Sequence, residues 1–226
     1  MRKFITDQNC WRSWSPLKDH STQIAHFRSI NKRRQPLVFV THPVASIQSG
    51  LNNTIEWAKA KNLPVVVLDG GIAKNYVPKS GNYFFVQSHQ GEFKNPGAAS
   101  NFIFAGGFLE MCLNGTMLQT LDIYNSNQDR YEMFLVSDAI YMDSTTLKEW
   151  LSSHDPSELR DFMWKSVFVR GWNGLAWTQK TIPKYPGDIS AFKLILHYKG
   201  ESYTFGKGTH GKKEIHFHIV DSMNLP

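Results

Sequence analysis

Phe102-Ile103-Phe104-Ala105-Gly106-Gly107-Phe108-Leu109-Glu110-Met111-Cys112-Leu113-Asn114-Gly115-Thr116 is an apolar run that breaks at two glycines and reopens with helical spacing. A strand that ends in Gly-Gly and gives way to a helix is the turn of an α/β fold. Cys112 falls close to the start of that helix, six residues after Gly106. Unpaired backbone N–H groups and the helix dipole there stabilise a thiolate and can cradle a developing oxyanion. The oxyanion donors expected at this turn are the backbone groups of Gly107, Phe108 and Met111. The bland alternative is a small hydrophobe packed under a turn, the commoner fate of a lone cysteine.

Outward from this turn the chain alternates. Residues 37–41 (Leu-Val-Phe-Val-Thr) form a β-branched and aromatic run, and residues 45–62 carry Ile47, Leu51, Ile55, Trp57 and Ala58 at amphipathic helix spacing. Further strands are expected at 64–69, 82–87, 101–106, 132–138 and 166–170. The Cys112 helix should run to about residue 122, and Asp155-Pro156 should open another helix that ends near residue 165. Continuous apolar strands between helices are strands covered on both faces. The expected fold class is therefore α/β, a three-layer, mostly parallel, six-stranded sheet with right-handed crossovers. After Gly171 the texture changes to tryptophans, Gly-Pro breaks and runs at 192–198, 201–205 and 214–220, which read as antiparallel strands. The domain reading is a basic arm over 1–35, an α/β domain over 36–170 and a C-terminal β extension over 171–226, packed on the core or on a partner subunit.

The 226 residues carry a net charge of +6, and all of it resides in residues 1–36, where eight Lys/Arg face Asp7 and Asp19. The body is balanced. Residues 28–34 (Arg-Ser-Ile-Asn-Lys-Arg-Arg) are a compact basic run, but no nucleic-acid motif or aromatic platform accompanies it, so a solvated arm is favoured over a nucleic-acid partner. No apolar stretch reaches the ~18–20 residues of a membrane span, and the N-terminus lacks the apolar core of a secretory signal. Two cysteines, Cys10 and Cys112, are too few for a disulfide framework. A cytoplasmic location is the expectation, with export by a non-classical route left open.

The order strand, helix, strand, strand, then strand-Gly-x5-Cys-x3-Thr helix and a strand ending Ser137-Asp138-Ala139, resembles the isochorismatase-like cysteine hydrolases. The resemblance covers roughly residues 36–170. It implies a Rossmann-like sheet with the site at the strand carboxyl ends, a cis peptide near Gly107-Phe108, and a triad of aspartate base, lysine and nucleophilic cysteine. It also implies that Thr41 stands where the aspartate belongs and Gln87 where the lysine belongs, so only Cys112 survives. A threonine hydroxyl is no proton acceptor near neutral pH, and glutamine carries no charge. The metal site of nicotinamidase relatives is likewise missing its histidines, since Gly70, Gly71 and Ile72 follow Asp69.

Two function classes follow. In the first, the chain is a divergent family member without the standard hydrolase activity that binds a small ligand or a protein partner. In the second it is a cysteine hydrolase of a small amide or related carbonyl, with Cys112 as nucleophile and His89 or His42 as base, oriented by Glu92 or Glu110. No cofactor is implied, and a homo-oligomer fits the family habit. His216 and His218 alternate on one strand face and His197 can sit beside them, a spacing open to metal ligation. With no carboxylate or cysteine in that pattern, the favoured reading is the wet face of a half-buried strand and no metal. Trp172, Trp177 and Tyr185 are read as packing or interface residues.

Overall fold

The computed structural model describes residues 35–69, 83–87, 101–110, 112–114, 116–117, 129–142, 144–163, 192–205 and 213–226. Five strands form first: β1 (Leu37–Thr41), β2 (Val65–Asp69), β3 (Tyr83–Gln87), β4 (Asn101–Gly106) and β5 (Arg130–Met142). A two-residue β6 (Thr145–Thr146) pairs with β5, and β7 (Phe192–Tyr198), β8 (Glu201–Phe205) and β9 (Lys213–Val220) follow. All belong to one sheet of order β3-β2-β1-β4-β5-β9-β7-β8. Every neighbouring pair along that path is parallel except β7 and β8. The fold is thus α/β with a mostly parallel sheet and an antiparallel C-terminal hairpin.

β1 is buried along its whole length, and its alternation divides the core. Leu37 and Phe39 join Phe102, Phe104, Met133, Leu135 and Phe217 on one face, where Phe39 and Phe104 stack at 5.4 Å. Val38 and Val40 join Ile103, Ala105, Val136 and Ala139 on the other, under helix α1 (Gln48–Ala60). Helix α1 presents Leu51, Thr54, Ile55 and Ala58 to that face at helical spacing. Gly50 lets it approach, because a Cβ there would lie 2.3 Å from the Asp138 carbonyl oxygen.

β5 is longer than expected. Phe104 pairs with Leu135 but Gly106 pairs with Ile140, so β5 bulges between them and the strand continues past Ser137 and Asp138 to Met142. Two short helices follow, α2 (Leu147–Ser153) and α3 (Pro156–Phe162). Helix α3 opens at the expected Asp155-Pro156 cap. Helix α2 is additional to the sequence reading, closed at its start by a reciprocal Thr146–Glu149 capping box. The C-terminal strands complete the sheet itself: β9 lies parallel between β5 and β7, and β8 turns back through Lys199-Gly200. The arm and the strand expected at 166–170 lie outside the described residues.

Candidate functional site

The carboxyl ends of β1 and β4 meet at one backbone knot. Gly106 takes φ +117°, and a Cβ there would sit 1.9 Å from the Thr41 carbonyl oxygen, so only glycine fits. The Gly107 amide then donates to that carbonyl at 2.7 Å, and the Leu109 amide donates to the Tyr141 carbonyl at 3.0 Å. The Gly107 N–H expected to hold an oxyanion is therefore spent on β1. Phe108 sets its ring edge against Tyr141 at 5.0 Å, and no cis peptide occurs among the described residues.

Residues 112–114 and 116–117 are helical, as the Gly-Gly break predicts. Cys112 is only 9% exposed. Burial pushes its thiol up to about 11; a backbone hydrogen bond opposes the shift and the Glu110 carboxylate adds to it. Near neutral pH the sulfur is thus a protonated thiol, not the nucleophilic thiolate. The fully buried Thr41 hydroxyl meets the Thr116 hydroxyl at 3.0 Å, and Thr116 donates onward to the Cys112 carbonyl at 3.1 Å. Thr41 thus straps β1 to the cysteine helix. His42 follows at φ 41°, half-buried, with its amide donated to the Leu68 carbonyl. His89, Glu92 and Met111 lie outside the described residues, and Gln87 is fixed there only as the last residue of β3, paired with Asp69.

A cleft of about 500 Å³ opens at the carboxyl ends of β9 and β7, beside the bulge of β5. Its floor is apolar, from Ile219 and Val220 of β9 and the Tyr198 ring at the end of β7. Its rim is polar and carries both signs of charge: Ser137 on the β5 bulge, Lys148 and Ser152 on α2, Lys199 in the β7–β8 turn, and Asp221 and Asn224 after β9. Lys148 pairs with Asp221, which raises the ammonium and lowers the carboxyl, while the Lys199 ammonium lies 5.1 Å from the Tyr198 ring centre. None of these residues is a site candidate in the sequence reading, and only Ser137 is named in it, as part of the Ser137-Asp138-Ala139 strand end. The signal that could have found them is general: open parallel sheets bind ligands beyond their strand carboxyl ends.

The three C-terminal histidines do come together, one nitrogen of each ring within 4.8 Å of one from each of the others. They are the described residues best suited to hold a metal ion. No described helix is long and apolar enough to cross a membrane. A scan against protein-family models, a search of characterised proteins and a search of solved structures all return no match to this chain.

Proposed function

We propose that this chain is a divergent isochorismatase-like protein that binds a small anionic ligand without performing the family's hydrolysis. The fold part is supported by the order β3-β2-β1-β4-β5, whose direction of progression reverses between β1 and β4, as in a doubly wound Rossmann-like sheet. The loss of hydrolysis is supported by the buried Cys112 thiol, raised to about 11, and by a strand-end threonine engaged in a structural hydrogen bond. The single observation that carries binding is the cleft, where two hydroxyls, the Lys199 ammonium and a Lys148 ammonium paired with Asp221 surround an apolar floor. Such a surface favours a compact carboxylate or phosphate ester with an apolar portion.

The test is a thermal-shift screen of small carboxylates and phosphomonoesters. A ligand at about 100 times its Kd should add about 2.7 kcal/mol to stability, raising Tm in a dose-dependent way that Lys148→Ala and Lys199→Ala each blunt. A screen at millimolar concentration that moves no melting curve sinks the reading. The hydrolase reading keeps one observation in its favour, the left-handed backbone of His42, since strained non-glycine residues gather at functional sites. Turnover of small amides that is abolished by Cys112→Ala would establish it instead.

A further inference from the structure

On the sheet face that α1 covers further along, β5, β9 and β7 carry a run of imidazoles and carboxylates. Parallel register places His216 between Glu132 and Ile195, and His218 between Phe134 and His197. The alternate residues Ile215, Phe217 and Ile219 point into the core, which fixes the histidines on the opposite face.

Each imidazole has one nitrogen held from outside the group. His197 Nδ1 meets Ser202 Oγ at 2.8 Å, His216 Nε2 meets a Glu214 carboxylate oxygen at 3.0 Å, and His218 Nε2 meets a Glu132 carboxylate oxygen at 2.5 Å. The two carboxylates are anchored in turn, Glu132 by Arg130 and Glu214 by Lys193. Of the remaining nitrogens, His197 Nε2 lies 2.8 Å from His216 Nδ1, and each of the three rings brings one nitrogen within 4.8 Å of one from each of the others. A polar sheet face on its own needs no such division of roles. A second nitrogen engaged by a carboxylate or hydroxyl is how proteins fix the tautomer of metal-ligating histidines.

We propose that His197 Nε2, His216 Nδ1 and His218 Nδ1 bind a borderline divalent transition-metal ion, zinc being the reference case, with Glu132, Glu214 and Ser202 as orienting partners. Imidazole nitrogens sit about 2.0–2.1 Å from zinc, which separates neighbouring donors in a tetrahedral site by roughly 3.3 Å. The rings lie nearly parallel, His197 3° from His216 and 12° from His218, so binding requires the imidazoles to turn until their lone pairs converge, the 2.8 Å contact opening and the widest donor separation, within 4.8 Å, closing. His216 is buried, whereas His197 and His218 are half-exposed, so the ion has a route in and solvent a route to the remaining position. Three neutral imidazoles with an open fourth position belong to the class of sites that keep a bound water. The proposal is independent of the cleft, which lies beyond the strand ends and shares no residue with it.

The test uses the untagged full chain, stripped with a chelator and titrated with Zn²⁺ against a chromophoric competitor at pH 7.5. One ion per chain is expected. Binding should survive in His154→Gln, a histidine outside the group, and fall in His197→Gln and His218→Gln by more than the ~10–100-fold that loss of an orienting partner costs. Glu132→Gln should fall within that ~10–100-fold range. Because a variant can misfold, Co²⁺ added to the wild-type chain gives a second readout, intense visible bands of a four-coordinate ion. Absence of stoichiometric Zn²⁺ binding by the folded wild type, cobalt bands typical of a hydrated octahedral ion, or undiminished binding in folded His197→Gln and His218→Gln would each overturn the proposal.

Discussion

Cys112 shows how far position and environment can part company. The sequence places it at the start of a helix after Gly-Gly, and it is there, but its reactivity depends on burial that no neighbouring residue announces. Its thiol is raised from 9.0 to about 11, so peptide-resolved alkylation should accelerate about tenfold per pH unit through the neutral range, with no plateau below about pH 10. A plateau below pH 7 would instead mark a prepared thiolate. The linked stability has a definite sign. Between pH 9.0 and about 11 the unfolded chain has lost this proton and the folded chain keeps it, so stability falls as pH rises, by about 1.4 kcal/mol per unit from this group. Replacing Cys112 with alanine should remove that slope from denaturant melts collected between pH 8.5 and 10.5. Thr41 was legible as the end of β1, while its strap to Thr116 depends on a partner 75 residues away.

At the scale of elements, the strands with unbroken apolar runs were read nearly to the residue, because burial on both faces leaves no polar position to confuse their ends. β5 was cut short at Asp138 since Ser137-Asp138 resembles a terminator; the bulge that carries the strand onward is specified by pairing with β4. Helix α2 was missed although Thr146-x-x-Glu149 is a legible start signal, because seven residues are too few to show a period. Thr146→Ala removes the hydroxyl that accepts from the Glu149 amide while keeping the backbone N–H that donates to the Glu149 carboxylate, and should cost about 1 kcal/mol in chemical denaturation, with Thr146→Ser nearly neutral. The direction of β9 could not be read either, since a strand's own alternation does not say which neighbour it meets.

For the whole molecule, the class and the mostly parallel sheet follow from the chain's alternation, whereas the strand order, the cleft and the imidazole group arise only where the strands assemble. The tail that follows β9 holds this region together. Asp138 accepts from the Ser222 amide at 2.8 Å and its hydroxyl at 2.5 Å, Asn53 of α1 donates to the same hydroxyl at 3.1 Å, and Lys61 donates to the Pro226 carbonyl at 2.7 Å. Removing residues 221–226 should cost about 2–4 kcal/mol from these bonds, seen as a lower denaturation midpoint.

The seating of β9 between β5 and β7 also shapes how the chain emerges during synthesis. β1 to β5 leave the ribosome long before residues 213–220, so the stretch of β5 that β9 later pairs, Arg130 to Val136, waits with one flank of amides and carbonyls unclaimed. An open flank of that length is a template for pairing with a neighbouring nascent chain. Successful production therefore turns on how quickly the late-arriving strand slots into a gap that its predecessors have already framed.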